Sequence, residues 1–145
     1  MRRIKYIVVH CSAGNQNAKA ADIVRFHTSK EWGCKGWSKP GYHYFIEKDG
    51  NVVNICPLEK SSNGVNAKIN PDAINICYAG GVDTSTKALT PIDNRTASQK
   101  LALRGLLTQL KSIYPDAEIL GHRDFPKVNK ACPCFDARAE YADIK

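Results

Sequence analysis

The sequence lacks any long hydrophobic run. Its uninterrupted apolar stretches are a few residues each, far below the roughly 20 residues a helix needs to cross a bilayer, so no membrane partner is expected. The N-terminal stretch Met1-Arg2-Arg3-Ile4-Lys5-Tyr6 carries charge but no apolar segment of signal-peptide length behind it, and the chain is expected to be made in the cytoplasm without a leader. Linkers and internal repeats are also missing, so the 145 residues read as one domain, 1–145, with its own core and as a monomer. There is no concentrated basic arm either. The 21 Lys and Arg against 14 Asp and Glu give a net charge of +7 spread along the chain, which leaves several polyanionic partners open and can equally be a solvated basic surface.

Six cysteines are present, at positions 11, 34, 56, 77, 132 and 134. Without a leader they read as free thiols, not as three disulfides. Cys56 and Cys77 lie in apolar, strand-like segments, where a free cysteine behaves as a small hydrophobe of the core.

The rest of the chain alternates strand and helix signals. Ile4 to His10 is apolar on both faces toward its end and reads as a central strand. From Lys19 to Glu31, Ala20, Ile23, Val24 and His27 recur at helical spacing, with Gly33 as the stop. His27 falls in that buried stripe and reads as a core histidine bonded to backbone. Tyr42 to Glu47 and Val52 to Cys56 flank Lys48-Asp49-Gly50-Asn51, a hairpin turn signal. Strict alternation along the first of these strands groups Tyr42 with Tyr44 and His43 with Phe45. Glu59 to Asp72 is a polar loop, Ala73 to Ala79 a fourth strand, and Asp83 to Pro91 a second polar loop long enough to border a cleft. Thr96-Ala97-Ser98-Gln99 has capping-box spacing and opens a helix with Leu103, Leu106, Leu107 and Leu110 on one stripe. Glu118 to His122 is the last strand, and Asp136 caps a short terminal helix. The order is βαβββαβα, and the fold class is α/β, a mixed central β-sheet flanked by helices.

Chemistry concentrates at the ends of two of these strands. His122 closes one apolar run, and Cys132, ten residues on, sits in a loop stiffened by Pro126 and Pro133. His10 closes the run Ile7-Val8-Val9, and the two runs can lie side by side in one sheet. Three ligands of the His and Cys type with a fourth position left open are the mark of a catalytic zinc. A structural zinc module wants four closely spaced ligands such as paired C-x-x-C, and that spacing is missing.

Taken together, His10-Cys11-Ser12-Ala13, Gly41-Tyr42-His43 before the Lys48-Asp49-Gly50 turn, Gly80-Gly81, and Lys130-Ala131-Cys132-Pro133 before Phe135-Asp136 resemble the zinc N-acetylmuramoyl-L-alanine amidases. That family includes phage endolysins and peptidoglycan recognition proteins. The resemblance runs from His10 to Asp136. It implies one Zn2+ per chain on His10, His122 and Cys132, with Tyr42 and Lys130 as catalytic residues beside it. It also implies peptidoglycan as the partner, in place of nucleic acid, and hydrolysis of the amide between the lactyl group of N-acetylmuramic acid and the L-alanine of the stem peptide. Such a protein acts on the cell wall after release or export. In an extended segment Lys130 and Cys132 share a face, which suits an ammonium beside the reacting carbonyl. A non-catalytic peptidoglycan-binding module of the same fold is the alternative, but such modules characteristically lose the ligand set. Two departures stand out. No histidine lies near Ser62-Asn63-Gly64, where many relatives carry one, and Cys134 stands where a small hydroxyl residue is more frequent. The plain reading of Cys134 is a packed free thiol.

Overall fold

The computed structural model describes residues 2–145. Its frame is a five-stranded sheet built on the N-terminal strand β1 (Tyr6–Cys11), in which every residue after Tyr6 is buried. Two strands from distant parts of the chain, β4 (Ala73–Tyr78) and β7 (Glu118–Gly121), lie parallel to it on either side. Beyond β4 comes β2 (Tyr44–Ile46), also parallel, and then β3 (Val52–Asn54), antiparallel through the Asp49-Gly50 turn. The order across the sheet is β3-β2-β4-β1-β7. The mixed sheet and its main elements follow the expected order.

Helix α2 (Ala97–Ile113) covers one face. Its Leu103, Leu106, Leu107 and Leu110 pack on Ile7, Val9, Ile74 and Ile76, and burying each such side chain contributes about 1.5–3 kcal/mol. The helix starts where expected because Thr96 Oγ1 accepts the Gln99 N–H at 3.0 Å while Gln99 Oε1 accepts the Thr96 N–H at 3.0 Å. The Gln99 amide also donates to the Ala79 carbonyl at 2.9 Å, which ties the start of the helix to the end of β4. Helix α1 (Ala20–Thr28) lies on the opposite face, where Ala20 and Ile23 meet Phe45 and Cys77. The buried Glu47 carboxylate accepts the Ala20 N–H at 2.8 Å, placing negative charge at the helix N-terminus. The short helix α3 (Ala137–Glu140) is capped by Asp136, as expected. Among the described residues no helix is long and apolar enough to cross a membrane.

Beyond shifts of one or two residues at the ends of β1, β3 and β4, the structure departs from the sequence reading in four places. Helix α1 stops at Thr28, before Glu31, because the Ser29 hydroxyl accepts the Glu31 N–H at 3.1 Å and offers the chain a turn instead of another helical residue. Strand β7 stops at Gly121, and His122 opens a 3-10 turn that the Asp124 carboxylate closes by accepting the Gly121 N–H at 2.8 Å. Position 121 must be glycine for this crossing, since a Cβ there would lie 2.7 Å from Pro133 Cδ. The Asp83 to Pro91 loop is closed at its base by two short antiparallel strands, β5 (Val82–Asp83) and β6 (Thr90–Pro91), and it borders a polar groove with Asn15, Asn17 and Lys48. Finally, the strand containing Phe45 begins only at Tyr44. Strict alternation therefore fails before it: Tyr42 packs with Phe45 and Cys77 on the α1 face, whereas Tyr44 faces the α2 side.

Candidate functional site

Parallel pairing brings the C-terminal ends of β1 and β7 together on the α1 face. His10 ends the buried run of β1 on the side that also carries Val8, and His122 follows β7. The imidazole centroids are 4.8 Å apart. Cys132 arrives from the loop after the 3-10 turn, pinned by an Arg123 N–H bond to its carbonyl at 2.9 Å. Its Sγ lies 3.9 Å from His10 Nδ1, and the candidate ligand atoms of His10, His122 and Cys132 all fall within 4.8 Å of one another. His10 is fully buried, while His122 and Cys132 are half-buried and face a cleft of about 380 Å³.

The electrostatics of the three side chains suit a cation. Burial holds His10 down to about 4, with the Asn75 hydrogen bond opposing and the Lys130 charge assisting. Burial, then the neighbouring His10 and Lys130, hold His122 down to about 3. Both imidazoles are therefore neutral near pH 7, the form that ligates a metal. The Cys132 thiol is held below its ordinary value, first by the hydrogen bond from the Cys11 side chain, with the Cys11 N–H and Lys130 acting the same way against burial. That N–H lies 3.2 Å from Cys132 Sγ. The two neighbouring thiols go the other way. Cys11 is pushed up, chiefly by its hydrogen bond to Cys132, and Cys134 is pushed up to about 12 by burial and by Cys11. Of the three, Cys132 is the one poised as a thiolate.

The other sequence-derived candidates line the same cleft. Tyr42 stacks at a tilt against His10, with centroids 5.1 Å apart, and burial raises its phenol so that it stays protonated at neutral pH. Lys130 is exposed at the rim, on the same cleft as Cys132. The wall opposite is aromatic: His27 lies 4.9 Å from Trp37 and 5.3 Å from Tyr42. His27 accepts the Gly41 N–H through Nδ1 at 3.0 Å, the backbone bond expected of it, and lies outside the ligand cluster. Asn63, Gly64 and Val65 close the rim, so the first polar loop forms part of the cleft. No carboxylate lines it among the described residues. Cys134 Sγ sits 3.2 Å from the Gly81 carbonyl and 3.8 Å from Cys11 Sγ, outside the ligand group.

Sequence reasoning missed the groups behind the site. Asn75 Oδ1 lies 2.8 Å from His10 Nε2, and Ser62 and His43 continue the bonding inward. The signal for them was Asn75 itself, a polar residue between two isoleucines in a central strand. The Cys11 N–H on Cys132 Sγ left no trace in the sequence.

Comparison with known proteins gives the chain a family. Residues 1–135 match the family model described as N-acetylmuramoyl-L-alanine amidase. The endolysin of Klebsiella phage KP32 is 35% identical over 134 residues, which is 91% of this chain and 82% of that protein. The endolysin of Enterobacteria phage K11 is 34% identical over 131 residues, 88% of this chain and 79% of that protein. Among solved structures, the Ph2119 endolysin from a Thermus scotoductus bacteriophage superposes with a TM-score of 0.76 at 27% identity, covering 99% of this chain and 85% of that one. With the family model spanning nearly the whole chain and these relatives spanning most of theirs, this protein is an enzyme of the N-acetylmuramoyl-L-alanine amidase family.

Proposed function

We propose that the protein is a zinc-dependent peptidoglycan amidase that cuts between the lactyl group of N-acetylmuramic acid and the first L-alanine of the stem peptide, as an endolysin acting on the cell wall. The observation that carries this reading is the meeting of two imidazoles and one thiol, their ligand atoms within 4.8 Å of one another, on the floor of an open cleft. A tetrahedral zinc with bonds of about 2.1 Å to nitrogen and about 2.3 Å to sulfur needs ligand atoms roughly 3.5 Å apart. The 3.9 Å between His10 Nδ1 and Cys132 Sγ comes within a small side-chain adjustment of that, and the donor set suits zinc. His10, His122 and Cys132 would hold the ion, one per chain, with the cleft side left open. Bound there, zinc supplies Lewis acidity at neutral pH, acidifying water and polarising a carbonyl.

The chain's own groups supply the rest. Trp37, His27 and the Asn63 rim form walls for an extended peptide, and the cleft offers cations without a lining carboxylate, which suits an anionic substrate. Tyr42 keeps its proton, and its hydroxyl and the Lys130 amino group on the same cleft can both donate hydrogen bonds to the oxygen on which negative charge develops. The experiment is metal analysis of the purified protein together with mass spectrometry of digested muropeptides. About one zinc per chain and release of intact stem peptide beginning at L-alanine are expected. Products cleaved elsewhere, or binding to sacculi without cleavage, would overturn the reading.

A further inference from the structure

His10 is held from behind by side chains that the reaction itself does not use. From His10 Nε2 the contacts run 2.8 Å to Asn75 Oδ1, 2.8 Å from Asn75 Nδ2 to Ser62 Oγ, 3.2 Å from Ser62 Oγ to His43 Nδ1, and 2.8 Å from His43 Nε2 to the Lys60 carbonyl. All four side chains are buried, at 0 or 1% exposure, so water does not supply alternative partners. Room has been made for the amide: a Cβ on Gly64 would lie 2.3 Å from Asn75 Cγ.

The direction of these bonds follows from the far end. The Asn75 backbone N–H lies 3.0 Å from His43 Nδ1 and can only donate, while the Lys60 carbonyl, 2.8 Å from Nε2, can only accept. Arg2 Nη2 also approaches Nε2, at 3.1 Å, but the backbone donor fixed on Nδ1 and the shorter contact to Lys60 decide, because a neutral ring must keep one proton. His43 therefore carries its proton on Nε2 and a lone pair on Nδ1. The Ser62 hydroxyl shares that lone pair with the Asn75 N–H in a three-centre bond, and its oxygen accepts from Asn75 Nδ2. This turns Oδ1 toward His10, which must then carry its proton on Nε2. The flipped amide would leave the lone pairs of Ser62 Oγ and His43 Nδ1 facing each other across 3.2 Å. It would also place the His10 proton on Nδ1, the atom that faces Cys132.

We infer that Asn75 is a positioning residue for the metal site, fixing His10 as the Nε2–H tautomer through the Ser62 and His43 relay and so reserving Nδ1 for the metal. The inference rests on the zinc reading above, and it extends that reading to a residue that touches neither metal nor substrate. Partners of this kind orient a ligating imidazole and raise its basicity, and removing one typically weakens metal affinity by about 10- to 100-fold.

Chelator competition on the folded protein tests it. Asn75→Leu, close in size but without an acceptor, is expected to weaken zinc binding by about 10- to 100-fold. Asn75→Asp, which keeps an acceptor toward Nε2, is expected to retain most of the affinity. A packing role would not separate the two in this way, and wild-type affinity in folded Asn75→Leu would overturn the inference. Should Asn75→Leu fail to fold, nitrogen-15 spectra of His10 in the metal-free wild-type protein decide: protonation at Nε2 supports the inference and protonation at Nδ1 overturns it. Failure of the wild-type protein to bind zinc at all would instead strike the proposed function, because the spectra read the tautomer without metal.

Discussion

The two faces of the central sheet obey opposite rules, although the same strands make both. On the α2 side, Ile7, Val9, Ile74 and Ile76 meet a stripe of leucines in apolar contact. One residue along, on the α1 side, stand His10 and Asn75, whose polar atoms are bonded one by one. Apolar packing is non-directional and tolerates small shifts, whereas a buried polar group left without its partner costs the full loss of hydration. A period of two residues therefore separates the leucine-packed face from the face that carries the cleft beside its own apolar patch of Ala20, Phe45 and Cys77, and substitutions of leucines and of cleft residues are expected to fail differently.

The largest effect is expected on the polar side. Cys132→Ala should remove most bound zinc and all activity, while His27→Gln, in the same cleft but bonded only to the Gly41 backbone among the described residues, should keep its metal. Elemental analysis of both proteins is the check, and equal metal loss would erase the distinction between ligand and wall. Next come Lys130→Ala and Tyr42→Phe. Each should lower turnover by about 10²- to 10³-fold, the usual cost of deleting one oxyanion donor, with zinc retained and sacculus binding little changed. A variant that hydrolyses muropeptide at the wild-type rate would make that residue structural.

The apolar side should respond in stability alone. Leu107→Ala is expected to lose about 2–5 kcal/mol, measured by denaturant unfolding, with the rate per folded molecule unchanged. Activity lost ahead of unfolding would show that the two faces are coupled. The smallest effect, over the single step from pH 7 to pH 6, is one of slope. Burial holds His10, His27 and His43 down to about 4 and His122 to about 3, against 6.5 for the free side chain. The unfolded chain thus binds protons that the folded one refuses. The histidine contribution to the stability of the metal-free protein should be full above about 6.5 and fall as the pH drops to about 3, below which loss of the Asp93 and Glu140 pairs with Arg95 continues the decline. Unfolding midpoints in a chelating buffer give the profile, and Leu107→Ala should shift it downward without changing its slope.

Much of this division was legible in the sequence. The 3.6-residue stripe of α2 and its capping box marked one face, and two apolar runs ending in histidine marked the imidazoles that meet in the cleft. What escaped depends on partners far along the chain. Asn75 announced itself as polar among isoleucines, but its bonds go to Ser62 and, through its backbone, to His43, which is 32 residues away. The grouping of Tyr42 with Tyr44 failed because the strand begins two residues later than its apolar pattern, and a residue outside the ladder is free of the pleat. His122 was placed correctly beside the site but one residue too far into its strand, since the turn that holds it is closed by a single side-chain bond from Asp124.

The central place of β1 has a consequence for timing. Its two parallel neighbours arrive from the middle and the last quarter of the chain, and His10 waits for a partner 122 positions later in Cys132. Contacts of such separation form only after the intervening chain has been synthesised and closed into place. A ribosome-bound fragment ending before Cys132 lacks the third member of the His10, His122 and Cys132 group. On the zinc reading proposed above, hydrolytic power arrives in one late step, when the last quarter of the chain is in place.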